Sequence, residues 1–459
     1  MSRDSCKLNR FRTTIPLKNQ MNPVAAENKV FASHKLFGEF TAVRPRHYIL
    51  VPLGTTGDVN PFLWMGHLLR NRGHEVTLIL ATAFEPPPET HNFQCFALKN
   101  QKELQAVLDN PRLWHPWHGV RILFSFAGAH TEQIFRLIYS SRRLDMDNVI
   151  LAPGTAFGAR LAREKLGFPL GTIHLQPCAI PSAYEPPAMR RGFRWMSKLY
   201  WVWRRFFSFI PTPLDFYAGP GIRRACRSQR ILPPNNVLNQ WWHSPDGVLC
   251  LFPSWLARPQ PDWPTRWAQS GFPLYDRHAE ILADDLQKFL VSGPPPVVFT
   301  LGTAMKHPKN FFEIAVRVCS LLGYRGLFFS SIPMLPPPHV FLCRHYVPFS
   351  WLFPKVKAVV HHGGIGTLSQ ALAAGIPQLL MPLGFDQPDN AARLAKLGVA
   401  RIHCHFTVES IARELRALLT DPSIHTACKT VASRFSSKED AVTTLTFLEN
   451  LTYSTNTAH

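Results

Sequence analysis

The chain is expected to be an α/β protein of two Rossmann-like domains, and three observations point there. Its 459 residues suffice for two domains, each with its own core. His47 to Leu53 (HYILVPL) reads as a buried strand, followed by a turn, a helix to about Arg72 ended by Gly73, and a strand from Val76 to Ala81, which makes a βαβ unit. A second strand-turn-helix-strand unit lies near the other end. It begins with the apolar Ala358 to Val360 and passes through the turn His361-His362-Gly363-Gly364-Ile365-Gly366-Thr367. It then enters an alanine-rich helix that stops near Gly375, with another apolar strand at Gln378 to Pro382.

The second unit carries the strongest chemical signal. A glycine-rich turn between a strand and a helix presents free N–H groups and the positive end of a helix dipole, a seat for a diphosphate. Glycines at 363, 364 and 366 let the backbone approach an anion closely. Asp386 and Gln387 follow the next strand at the sheet edge where ligands bind. A carboxylate beside an amide accepts from and donates to sugar hydroxyls.

Composition narrows the classes. Hydrophobic content of 46% is that of a globular protein, and nine cysteines without a CxxC pair suit reduced thiols in the cytoplasm. No run of 18 apolar residues indicates a transmembrane helix. Residues 1–43 hold Lys7, Arg10, Arg12 and Lys18 without an apolar core and are expected to be a disordered basic tail, with Met21 as a later candidate start. The formal charge of +20 calls for an anionic partner. With no nucleic-acid module in the chain, the expected partners are a nucleotide and, through its inner face, an anionic membrane.

Taken in order, the first domain is expected over 44–250. Asn60 is placed as the N-cap of the first helix, with Pro61 at its first position. Helices are expected around Lys102 to Leu108, Ile122 to Tyr139 and Ala156 to Leu166, and strands at Val149 to Leu151 and Leu170 to Leu175. Asp145 and Asp147 read as a solvated turn, so no metal site is expected. His174 ends a strand and is an acceptor-side candidate. The stretch Arg190 to Phe209 sets Arg190, Arg194 and Lys198 at four-residue spacing among Trp195, Tyr200, Trp203 and Phe207. Basic residues beside tryptophans are what a membrane-contacting helix needs.

A linker rich in Trp and Pro is expected over 251–293, polar from Asp276 to Ser292 and ending at Gly293-Pro294-Pro295-Pro296. The second domain, 294–435, opens with the strand Val297 to Leu301 and the turn Gly302-Thr303, where a hydroxyl suits a phosphate. Helices follow near Phe311 to Leu322, Asn390 to Leu397, Val408 to Leu419 and Ser423 to Phe435. A last helix near Lys438 to Leu451, within 436–459, is expected to pack back on the first domain before a frayed tail.

The HHGGIGT turn, the AAGIPQLLMP segment, the closing DQPDNAARL and the GTTGDVNP turn resemble the signatures of family 1 glycosyltransferases. The likeness is greatest to the branch of bacterial rhamnosyltransferases and sterol glucosyltransferases. It covers residues 46 to about 450 and implies the GT-B fold, two Rossmann-like domains facing across a cleft. It further implies inverting, metal-independent hexosyl transfer without a cofactor, from a nucleoside diphosphate sugar to a hydroxyl of a hydrophobic acceptor. In that resemblance Asp58 is the general base. Thr55, Thr303, His361, Gly363, Gly364, Gly366 and Thr367 lie on the donor side, with His361 matched to the phosphate histidine. Tyr346 and Val347 fall in the base-recognition stretch, and Asp386 and Gln387 orient the sugar. The stretch Arg190 to Phe209 falls where the family lines its acceptor pocket, which puts Trp195 and Trp203 on the acceptor side and makes membrane contact the second reading. The sugar and acceptor stay open between dTDP-rhamnose with a hydroxy-fatty acid lipid and UDP-glucose with a sterol. A reading of another class is a nucleotide-sugar-binding protein without turnover, against which the joint presence of Asp58, Asp386 and Gln387 argues.

Overall fold

A computed structural model describes residues 44–82, 90, 92–98, 101–188, 199, 202, 212–276, 284–302, 309–330 and 335–455. The expectations for the tail 1–43, for Thr303, and for Trp195 and Trp203 lie outside these residues. Two parallel sheets carry the fold. The eight strands of the first are β1 (His47–Leu50), β2 (Leu53–Gly54), β3 (Glu75–Thr82), β4 (Gln94–Ala97), β5 (Asn148–Ala152), β6 (Leu170–His174), β7 (Val248–Leu251) and β8 (Trp267–Ser270). They run in the order β2-β3-β1-β5-β6-β7-β8, with β4 beside β3. The six strands of the second are β9 (Val297–Thr300), β10 (Gly326–Phe329), β11 (Val340–Cys343), β12 (Ala358–His361), β13 (Gln378–Leu380) and β14 (Ala400–Ile402). Their order is β11-β10-β9-β12-β13-β14. This is the two-domain GT-B architecture.

Each sheet reverses its strand order once. In the first the reversal falls between β1 and β5, where Leu50 pairs with Leu151. In the second it falls between β9 and β12, where Thr300 pairs with His361. A crevice opens beyond the carboxyl ends of strands at such a point, which places a ligand. The strands are continuous apolar runs because both faces of a parallel sheet are covered. Phe299 and Val360 pack into one layer, while Val298, Leu327 and Val359 pack into the other, all fully buried.

Six helices bear on the site: α1 (Thr56–Asn71), α2 (Pro116–Ala129), α3 (Gly219–Gln229), α4 (Ile365–Ala373), α5 (Gln387–Lys396) and α6 (Ser437–Glu449). Helix α6 returns to the first sheet. Tyr48 Oη donates to Leu448 O (3.1 Å), Thr444 Oγ1 donates to Ser270 Oγ (3.0 Å), and Arg72 pairs with Glu449 at 2.9 Å.

Three local expectations are corrected. Helix α1 begins at Thr56 with Thr55 as its N-cap, so Asn60 and Pro61 lie inside it. Pro61, at the sixth position, has no N–H to donate to the Gly57 carbonyl, so α1 lacks that bond. The helix expected over Ile122 to Tyr139 is two, α2 and Thr131–Ser141, broken at His130. The stretch 251–293 is not all linker: Trp267–Ser270 adds β8 to the first sheet, and Asp284–Val291 is a helix that buries Leu286.

Candidate active site

The glycine-rich turn sits at the switch point of the second sheet. Strand β12 ends at His361, which is fully buried. Its Nδ1 accepts from the Gly363 N–H (3.2 Å), and its Nε2 donates to Gln378 Oε1 (2.9 Å). Burial lowers its pKa to about 3, so the ring is neutral. This corrects the assignment of His361 to a phosphate: both ring nitrogens are spent inside the protein, where the ring ties two neighbouring strands.

His362 takes the exposed side of the turn. A side chain at Gly302, after β9, would come within 2.7 Å of its Cε1, and one at Gly364 would crowd its Nε2. Gly302 has φ +72°, so both space and backbone call for glycine there. The Nδ1 of His362 is buried with no hydrogen-bond partner among the described residues, and burial lowers its pKa to about 4. An unpaired polar atom beside a helix start is where an anion would be welcome. Gly364 caps α4, whose first N–H groups have no partner within the helix. Gly366 is exposed and Thr367 half-buried on this first turn, while Gly363 is buried with φ +93°.

Strand β13 leads into the loop that carries Asp386. Gln387 is 4% exposed, and its Oε1 accepts from the N–H groups of Leu383 (2.8 Å) and Gly384 (3.2 Å). Its carbonyl braces the loop, which corrects the expectation that it is simply turned to a sugar. Asn390 was missed in the sequence. Fully buried, it donates from Nδ2 to Gly363 O (3.0 Å) and to Asp386 Oδ2 (2.7 Å), so one amide joins the glycine turn to the carboxyl. Burial, and secondarily the charge of Asp58, raise the Asp386 pKa to about 7.

On the other side of the cleft Asp58 lies in the first turn of α1. Its Oδ2 accepts from Thr55 N–H (2.7 Å) and Thr55 Oγ1 (2.9 Å), a capping box. Thr55 is therefore committed to the helix start, correcting its placement on the donor side. Asp58 Oδ2 fills the space that any side chain at Gly54 would need, and Gly54 has φ +129°. Capping and catalysis are not exclusive here, since Oδ1 of Asp58 makes no hydrogen bond among the described residues. Desolvation raises the pKa of Asp58 against the two bonds from Thr55, which lower it.

The two sides meet. A Cβ on Gly366 would sit 3.7 Å from Gly57 Cα, so the start of α4 faces the start of α1. Asp389 of α5 accepts from Ala188 N–H (2.7 Å) and from Arg393 Nε (2.8 Å), and Arg393 reaches Glu185 at 3.3 Å. This buried cluster ties α5 to the first domain.

The remaining candidates divide. Tyr346 is 41% exposed, with its hydroxyl donating to Asp276 Oδ1 (3.3 Å). Asp276 also accepts from the N–H groups of Phe349 (3.2 Å) and Ser350 (2.9 Å), so the linker end holds this stretch in place. Val347 is 5% exposed with its side chain in the core, which leaves its backbone for any ligand. His174 ends β6 and is 3% exposed within the first domain, stacked on Trp242 at 6.1 Å and edge-on to His243 at 5.0 Å, with its buried Nε2 making no hydrogen bond among the described residues.

Residues 332–444 match the family described as erythromycin biosynthesis protein CIII-like, C-terminal domain. The chain is 27% identical over 427 residues to O-mycaminosyltylonolide 6-deoxyallosyltransferase of Streptomyces fradiae, covering 89% of this chain and 98% of that protein. It is 24% identical over 438 residues to sterol 3-beta-glucosyltransferase of Pichia angusta, covering 89% of this chain and 34% of that protein. Among solved structures, the glycosyltransferase VinC in complex with dTDP aligns with a TM-score of 0.61 at 17% identity, covering 88% of this chain and 99% of that one.

Proposed function

We propose, for a chain that is by sequence and fold a family 1 glycosyltransferase of the GT-B type, inverting transfer of a hexose from a nucleoside diphosphate sugar to a hydroxyl of a hydrophobic acceptor. The observation that carries this reading is the meeting of two strand-end turns, each at the switch point of its own sheet, with Asp58 on one side and Asp386 on the other.

The acceptor O–H loses its proton to Asp58 as its oxygen attacks the anomeric carbon, and the bond from that carbon to the diphosphate breaks. A raised pKa makes Asp58 a better base, and its free Oδ1 is the atom for the proton. The N–H groups at the start of α4, Thr367 and His362 receive the charge that grows on the leaving diphosphate, which suits a reaction with no metal ion or cofactor. Asp386, braced by Asn390, accepts from sugar hydroxyls, and Tyr346 offers a ring face to the base. A dTDP-sugar and a UDP-sugar both fit this scheme. The preferred acceptor is a hydroxylated lipid, with dTDP-rhamnose as donor. A sterol with UDP-glucose is the second reading, favoured by the likeness to the Pichia enzyme.

An anionic membrane surface is the proposed partner besides substrates. Arg223, Arg224, Arg227 and Arg230 stand exposed along α3 and its C-cap, while Ile222, Ala225 and Cys226 are buried on its other face. Among the described residues none of the four makes an ion pair, and Phe216 nearby is 66% exposed. Charge and an exposed ring together suit a lipid interface. No described helix is long and apolar enough to cross a membrane.

The test is incubation of the purified chain with UDP- and dTDP-sugars and a panel of hydroxylated lipids and sterols, with product masses read out. A glycosylated product from the parent and none from Asp58→Asn supports transfer. Nucleotide binding without any product would favour the binding-protein reading.

A further inference from the structure

Phe385, one residue before Asp386, has φ +55°. Among the described residues only Arg230 shares a positive φ without being glycine, and it caps the end of a helix, where that conformation is ordinary. A bulky side chain in the left-handed region is costly and persists only where its surroundings over-determine it. Phe385 is 43% exposed, and the ring contacts it does make belong to the other domain. Its ring lies edge-on to Trp114 at 5.8 Å and 70°, and a Cβ on Gly119 of α2 would come within 3.0 Å of its Cζ. The missing side chain of Gly384 faces Trp114 O at 3.6 Å. The ring tip thus rests beside Gly119, where a Cβ would also come within 2.0 Å of Leu113 O, while Gln387 braces the same loop from beneath.

We infer that Phe385 is a positioning residue that couples closure of the two domains to the aim of Asp386. With the ring seated against Trp114 and Gly119, the backbone is held in its strained form, and the Asp386 carboxyl is presented to the cleft opposite Asp58. When the domains part, the ring loses its support and the loop relaxes. The sugar site is therefore complete only in the closed molecule, so water meets an unassembled site when the cleft is open. The inference rests on the proposed role of Asp386 toward the donor sugar.

The test uses the full chain with Phe385→Ala, Phe385→Tyr and Trp114→Ala. The diphosphate seat on α4 is untouched, so affinity for UDP and dTDP by calorimetry should change less than about threefold, while turnover with the sugar donor falls roughly 10- to 100-fold in Phe385→Ala. Phe385→Tyr, which keeps the ring, should restore most of the turnover. Trp114→Ala combined with Phe385→Ala should cost little more than Phe385→Ala alone. Unchanged turnover in Phe385→Ala, or fully additive losses in the pair, would overturn the coupling. A parent that neither binds nucleotide nor transfers sugar would sink the transferase reading instead. The clasp is then judged by hydrogen exchange: faster exchange at both 383–386 and 113–119 in Phe385→Ala supports it, and unchanged exchange overturns it.

Discussion

Asp58 and Asp386 oppose each other across the cleft, and the charge on Asp58 helps burial hold the Asp386 carboxyl at about 7. Burial is the larger cause and the Asp58 charge the smaller one. A protonated Asp386 is a poor acceptor for a sugar hydroxyl, so kcat/KM for the donor should rise with pH through about 7. Stability should run the other way. The folded-state pKa lies above the ordinary 3.8, so the contribution of this group is fully present below 3.8 and is lost as pH rises through 7. In Asp58→Asn the charge is gone, and the midpoint for donor binding should move to lower pH. Donor affinity measured across pH 5 to 9 checks both statements; an unmoved midpoint removes the pairing.

The helix cap and the proposed base of Asp58 fall on two different oxygens, and they can be separated. Asparagine keeps a carbonyl oxygen that can accept from the Thr55 N–H, so Asp58→Asn should keep the melting temperature close to that of the parent while lowering transfer by about 100- to 10,000-fold, the span of a lost general base. Thr55→Ala removes the hydroxyl of the N-cap, one of the two donors to Asp58 Oδ2, and should cost about 1 kcal/mol of stability with a smaller loss of rate. Equal losses of stability in the two variants would make Asp58 a cap and nothing more.

The arginine row on α3 makes a separate forecast. Each basic side chain near an anionic surface contributes about 1 kcal/mol, and screening acts over roughly 10 Å at 0.1 M salt. Full-length protein should pellet with vesicles containing phosphatidylglycerol, be released by salt, and fail to pellet when Arg223, Arg224, Arg227 and Arg230 are replaced by glutamine. Equal pelleting of the glutamine variant would clear this face of the role.

How much of this could be read from residues alone depends on the range of the interaction. The glycine-rich turn and the apolar strands on either side are local patterns, and β12, α4 and β13 appear where periodicity and glycine placed them. The helix Asp284–Val291 was also legible, because Leu286, Phe289 and Leu290 recur at helical spacing within a stretch read as polar linker. Strand β8 was hidden: four residues with an exposed Trp267, in a run full of tryptophan and proline, carry no strand signal of their own and are fixed by pairing with β7. The Phe385 clasp and the Asn390 bridge join residues that only the fold brings together, and no local pattern marks them.

The family resemblance assigns the phosphate to His361 over His362, a choice that turns on where the strand ends and that two adjacent histidines do not reveal. The structure separates them, and two substitutions should do so in solution. His361→Ala leaves the Gln378 carboxamide and the Gly363 N–H without their partner in a sealed space, and should cost about 3 kcal/mol. His362→Ala should leave stability nearly unchanged and weaken nucleoside diphosphate binding roughly tenfold, the loss of one charge-assisted contact. The pH dependences differ too. The folded-state pKa of His361 lies at about 3 against an ordinary 6.5, so its contribution to stability is present above 6.5 and is lost as pH falls toward 3. His362 starts at about 4, and a diphosphate beside it would raise that value, so binding near pH 6 should take up protons. Calorimetry in buffers of different ionisation enthalpy measures that uptake, which should shrink in His362→Ala; an uptake identical to the parent's would return the phosphate contact to some other group.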